Sequence, residues 1–211
     1  MIPLGFTMNV LKWEPHIPPV DESQLTPMQT DALEASGKMA AKSEYFRVLA
    51  HDPQSLVHRS VLYDHVMYSE GGLGRVEREL AALIVSLDNG CRYCVSVHAR
   101  RLGQLSKNKN AVQEMLEGKP GLLADPRLDA IARVTTKLTR MPNTMTIADV
   151  RQLRIEYGFS TVEYFDLINV IGMFAWANRL MQTLGASVGT TVAVSEIAVD
   201  PGRTTPAPQN A

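Results

Sequence analysis

Cys91, Cys94 and His98 fall within the run Cys91-Arg-Tyr-Cys94-Val-Ser-Val-His98. On a helix this spacing stacks the three side chains on one face. Two thiols so placed can alternate between dithiol and disulfide, and an imidazole one turn beyond Cys94 can take that thiol's proton. Cys91 would sit in the first turn, near solvent, among unpaired amide N–H groups. There a thiol that ordinarily ionises near pH ~8.5 falls to ~3.5–7.5. Glu79 is the candidate carboxylate to orient the ring and stabilise its cation, completing a nucleophile–base–orienter set. Two other readings use the same residues. Cys91, Cys94, His98 and Glu79 could ligate zinc, or the cysteines could be small buried apolar groups beside a satisfied core histidine. Zinc ribbons usually pair two knuckles, and the sequence has no second one.

The elements that must position these groups are helices. Leu80 to Leu87 is almost continuously apolar, and a helix apolar all round is buried, so Glu79 at its head starts near the interior. Asn89-Gly90 then turns the chain, with Gly supplying the backbone freedom. Helical patterns are expected over 27–42, 44–50, 53–69, 74–88, 91–105, 108–117, 126–140, 146–157 and 160–184. Thr26-Pro27, Asp52-Pro53 and Asp125-Pro126 read as caps with Pro at the first helical position. Thr146 precedes an acidic third position, Asp149. Gly158 suits a left-handed C-cap, and Ser160 or Thr161 can start the last helix. Period-two alternation is absent except over 191–199, so the fold class is all-α.

Composition narrows the function classes. With 211 residues and 45% hydrophobic content, the chain can bury a sizeable core. A net charge of −1 gives no global attraction to nucleic acid or anionic lipid. No apolar run is long enough for a membrane span. No basic stretch leads into a sustained apolar run at the N-terminus, so the expected location is cytoplasmic and reducing. There, a pair of nearby cysteines points to redox or metal chemistry.

The segment Glu79, eleven residues, Cys91, two residues, Cys94, three residues, His98 resembles the alkylhydroperoxidase D family, within the carboxymuconolactone decarboxylase-like superfamily. The later run Val170-Ile-Gly-Met-Phe-Ala-Trp-Ala-Asn178-Arg179 is similar to the closing helix of its peroxidase-related members. The likeness spans about 25–185. It implies an all-helical homo-oligomer, a trimer or hexamer, that reduces hydroperoxides or passes electrons from a dithiol such as a lipoyl-bearing protein to a peroxiredoxin. By that likeness Cys94 attacks the peroxide, Cys91, the more exposed thiol, resolves, and His98 with Glu79 relays the proton. No cofactor and no metal are implied. One position departs: the family's prototype has a histidine just before its second cysteine, and here Tyr93 stands there, a poor proton carrier near neutral pH. The alternatives are a non-redox helical oligomer and a carboxymuconolactone decarboxylase-type enzyme, whose branch lacks the cysteine pair.

The expected organisation is an extended arm over 1–24, pinned by Trp13 and Ile17, a helical domain over 25–185, and an extended or disordered tail over 186–211. Arg100, Arg101, Lys107 and Lys109 read as a solvated face. His58 and His65 read as ordinary surface or core residues. The stripe Phe165, Ile168, Gly172, Trp176 and Arg179 reads as core or subunit packing.

Overall fold

The computed structural model describes residues 5–189, and they form an all-α bundle. The capping residues act as their chemistry dictates. Thr26 accepts from the Gln29 amide to open α1 (Pro27–Ala35), and Asp52 accepts from the Ser55 amide to open α3 (Pro53–Tyr68). Between these lies the short α2 (Glu44–Leu49). Asp125 starts α7 (Pro126–Arg140), and capping boxes at Thr146 and Ser160 start α8 (Ile147–Arg151) and α9 (Thr161–Leu184). Such caps are each worth about 0.5–2 kcal/mol.

α4 (Arg75–Asp88) runs through the middle. Every residue from Leu80 to Val85 is buried, and α5 (Arg92–Leu105), α7 and α9 pack around it. Each fully buried Leu or Ile there contributes roughly 1.5–3 kcal/mol of apolar burial. α6 (Lys109–Leu116) closes against α5. Gly90, at a left-handed φ of 69°, makes the tight turn from α4 to α5, and the Cys91 amide donates back to the Ser86 carbonyl at 2.9 Å. The turn therefore sets where the first thiol begins.

Four expectations are corrected. The 27–42 helix ends at Ala35, because Gly37 takes a left-handed φ of 108° and a separate 3-10 turn follows at Ala40–Lys42. Two short strands exist where none was read: β1 (Lys12–Pro15) pairs antiparallel with β2 (Gly185–Val188), Trp13 opposite Ser187. Four residues are too few to show a period, and their pairing is long-range. The stripe on α9 is not core in this chain: Phe165 and Trp176 face outward. Ile17 is likewise exposed, whereas Trp13 is buried. The alternating stretch over 191–199 lies outside the described residues.

The two strands draw the arm and the start of the tail onto the helical body. Trp13 Nε1 donates to the Met181 carbonyl at 2.9 Å. The Leu11 amide donates to Ser96 Oγ at 3.1 Å, and the Tyr93 amide to Ser187 Oγ at 3.0 Å. Both ends of the domain thereby clamp the first turns of α5. Gly185 is required for this, because a Cβ there would run into the Trp13 ring. No helix among the described residues is long and apolar enough to cross a membrane.

Candidate functional site

Cys91 caps α5, Cys94 lies in its first turn, and His98 follows one turn later on the same face. The two sulfurs are 2.6 Å apart. Behind them, α4 carries Glu79 into the interior, where its Oε2 lies 2.8 Å from His98 Nδ1. That bond assigns the ring proton to Nδ1 and leaves Nε2 as the free acceptor. Arg75, one turn before Glu79, holds the other carboxylate oxygen at 2.8 Å and stacks on Tyr68. The Phe174 ring meets the imidazole edge-on at 4.4 Å and blocks its rotation. The four side chains singled out by spacing thus occupy one neighbourhood. Among the described residues, no hydrogen bond joins Cys94 directly to His98, so a proton moving between them crosses a bound molecule or a water.

The expected exposure of the thiols is reversed. Cys91 is 1% exposed and Cys94 6%. Trp13, Tyr45 and Met181 share a buried cluster with the pair, so the arm expected to lie outside the helical domain packs at the thiols. Cys94, not Cys91, borders a cavity of about 210 Å³ together with His98, Tyr93, Tyr45, Tyr63 and Phe174.

Proton affinity and access favour different sulfurs. The Cys94 thiol beside it pulls the Cys91 thiol below its ordinary range. The Cys91 sulfur, then burial, push Cys94 well above it. The pair therefore loses its first proton readily, since the remaining S–H donates to the thiolate, and holds the second strongly. The Asn178 amide works the other way, favouring negative charge on Cys94. Asn178 is itself fixed: it accepts from Asn89 at 3.1 Å and donates to Ser86 Oγ at 3.2 Å. Burial, and then charge on the two sulfurs, raise the Tyr93 phenol. Tyr93 therefore stays neutral at the cavity wall and cannot serve as a second base there.

The zinc reading does not fit this geometry. Glu79 is turned onto the ring nitrogen and Arg75, away from the sulfurs, and among the described residues no group of three or more His, Cys, Asp or Glu side chains converges. Sequence reasoning did not single out Trp13, Tyr45, Arg59, Tyr63 or Arg75 as part of the site. Asn178 was noted only as part of a closing-helix run. Of these, Arg75 carried a signal, lying one helical turn from Glu79 with the opposite charge.

Residues 57–137 match the model of the carboxymuconolactone decarboxylase family. A search of curated proteins gives no match. An uncharacterised peroxidase-related protein from Ralstonia eutropha JMP134, with an alkylhydroperoxidase AhpD core, superposes with a TM-score of 0.68 at 25% identity, covering 81% of this chain and 90% of that one. A peroxidase-related protein from Silicibacter sp. TM1040 gives 0.66 at 24% identity, over 81% and 92%. The debrominase Bmp8 shares the fold at 0.64 and 15% identity, over 80% and 89%.

Proposed function

We propose that this protein, a carboxymuconolactone decarboxylase-superfamily chain with an alkylhydroperoxidase D-like fold and a CxxC pair, is a dithiol-dependent peroxidase. The observation that carries the reading is the cavity bordered by Cys94 and His98, with Glu79 bonded to the imidazole and the Cys91 sulfur in contact behind.

The steps follow from these atoms. His98 Nε2 takes the Cys94 proton through an intervening water or the bound hydroperoxide, and Glu79 stabilises the resulting imidazolium. The Cys94 thiolate attacks the distal oxygen of a hydroperoxide ROOH. The O–O bond breaks, giving Cys94 sulfenic acid and RO⁻, and RO⁻ takes the proton from His98 to leave as ROH. The Cys91 thiol then attacks the sulfenic sulfur. Water leaves and a disulfide forms. An external dithiol, such as a lipoyl group, returns two electrons and two protons by exchange, becoming a disulfide itself. Cys91 is buried, so the exchange begins at Cys94, the sulfur that borders the cavity.

Homo-oligomerisation belongs to the same proposal. The outward-facing Phe165 and Trp176 on α9 suit a face shared between copies. The test is turnover of cumene hydroperoxide with dihydrolipoamide as reductant. Wild type consumes peroxide and Cys94→Ser does not. Equal turnover by the two proteins sinks the reading.

A further inference from the structure

Among the described residues, the same cavity contains a cation with no anionic partner. Arg59 on α3 is only 8% exposed. Among the described residues it makes no ion pair and no hydrogen bond to a carboxylate or a carbonyl; its Nε is buried without a partner, and the Tyr45 hydroxyl lies beside the guanidinium. Its guanidinium is instead enclosed by aromatic faces, at 5.8 Å from the centroid of Tyr45, 5.2 Å from Phe46 and 5.1 Å from Tyr63. All three rings line the cavity that holds Cys94, and no carboxylate does. Cation–π contacts offset part of the desolvation but leave most of the guanidinium's N–H donors unused. A buried arginine is ordinarily paired, because an uncompensated charge is costly. A cation retained here without a partner is what a site for an anion looks like before the anion arrives.

We infer that the thiol cavity binds organic ligands that carry a carboxylate, with the carboxylate on the Arg59 guanidinium and a compact apolar body against Tyr45, Tyr63 and Phe174. The inference rests on the reading of Cys94 as the reacting thiol. Planar, forked donors suit a carboxylate. The aromatic walls suit an apolar body. The volume, about 210 Å³, is below the roughly 300–1,000 Å³ of drug-sized pockets and calls for a small one. Arg59 also borders a second cavity of about 340 Å³, lined by Leu49, Leu56 and Trp176, but no thiol reaches that side. The carboxylate belongs either to the hydroperoxide or to the dithiol that follows it into the cavity.

Matched pairs test this on the full chain. Cumene hydroperoxide is compared with its para-carboxylate, and dihydrolipoamide with dihydrolipoate. Each is used at subsaturating concentration on wild type, Arg59→Met and Arg59→Lys. Binding of unreactive 4-isopropylbenzoate is measured by calorimetry alongside. A lost charge-assisted pair corresponds to about 10- to 100-fold. The carboxylate member of one pair should therefore react faster than its neutral partner by about that factor. Arg59→Met should erase the advantage and Arg59→Lys keep part of it. An advantage confined to the hydroperoxides assigns the carboxylate to the oxidant, and one confined to the dithiols assigns it to the reductant. If wild type shows no advantage in either pair, or Arg59→Met slows both members alike and leaves the ratio unchanged, Arg59 serves the thiolate or the fold and the inference falls. The wild-type ratios alone decide the matter if Arg59→Met fails to fold. Should neither hydroperoxide oxidise the thiols while 4-isopropylbenzoate still binds in an Arg59-dependent way, the peroxidase reading fails and the carboxylate site stands.

Discussion

Two arginines are buried among the described residues, and they lead opposite lives. Arg78, on α4, is 0% exposed. Its Nε donates to the Leu73 carbonyl at 2.6 Å, Nη1 to the Val66 carbonyl at 2.8 Å and to Ser69 Oγ at 3.0 Å, and Nη2 to Asp166 at 2.7 Å. Asp166 also accepts from the Leu73 amide at 2.9 Å. The guanidinium thereby ties the α3–α4 connection to α9. Arg59, on α3, has the same chemistry and comparable burial but faces aromatic rings and a cavity. A buried charge with its donors used holds structure together, and one with its donors idle waits for a ligand.

The largest test of that contrast is stability. Arg78→Met strands Asp166 and the two carbonyls in the interior and should cost about 3–5 kcal/mol, enough to abolish cooperative urea unfolding in a marginal domain. Arg59→Met removes a charge that nothing compensates and should leave stability within about 1 kcal/mol of wild type. Similar losses in the two variants would end the comparison.

Within the thiol site, function should fail while the fold persists. Cys94→Ser should abolish sulfenic acid formation in a peroxide pulse read by mass spectrometry, and Cys91→Ser should trap the sulfenic acid. His98→Ala and Glu79→Gln should slow oxidation by about 10²–10⁴-fold with unchanged circular dichroism. Trapping in Cys94→Ser instead would assign the attack to Cys91, the thiol whose proton leaves more readily.

Gly185→Ala probes the arm. A methyl group there displaces Trp13, which should cost about 1–3 kcal/mol as overpacking and raise the rate of Cys91 alkylation several-fold. An unchanged alkylation rate would mean that the arm does not control access.

The smallest effect is alkaline. Burial pushes the Tyr45 phenol up to about 12. The native state therefore favours the protonated form more than the unfolded chain does. This contribution is fully present below the ordinary phenol range near ~10 and is lost as pH rises through about 12. Tyr45→Phe should flatten the fall in unfolding free energy over that window. An identical slope would show that other groups dominate it.

Local chemistry was legible in the residues themselves. Thr26, Asp52, Asp125 and Ser160 announced their helices because a cap is an interaction within three residues of sequence. The apolar run Leu80–Leu87 announced the central helix. The four-residue strands were not legible, since Trp13 and Ser187 meet only by long-range pairing.

The sequence by itself determined that Cys91, Cys94 and His98 share a helix face, because helical geometry converts spacing into direction. It also nominated Glu79, because a carboxylate at the head of a buried helix has few places to go. Only the tertiary structure decided that Cys94 rather than Cys91 borders the cavity, because the thiols are buried among residues far apart in sequence, Trp13 of the arm and Met181 of α9 among them. The same holds for Asn178 beside Cys94 and for Arg59 among Tyr45, Phe46 and Tyr63. Whether a buried charge is paired depends on what other helices bring to it, and no periodicity in its own helix records that.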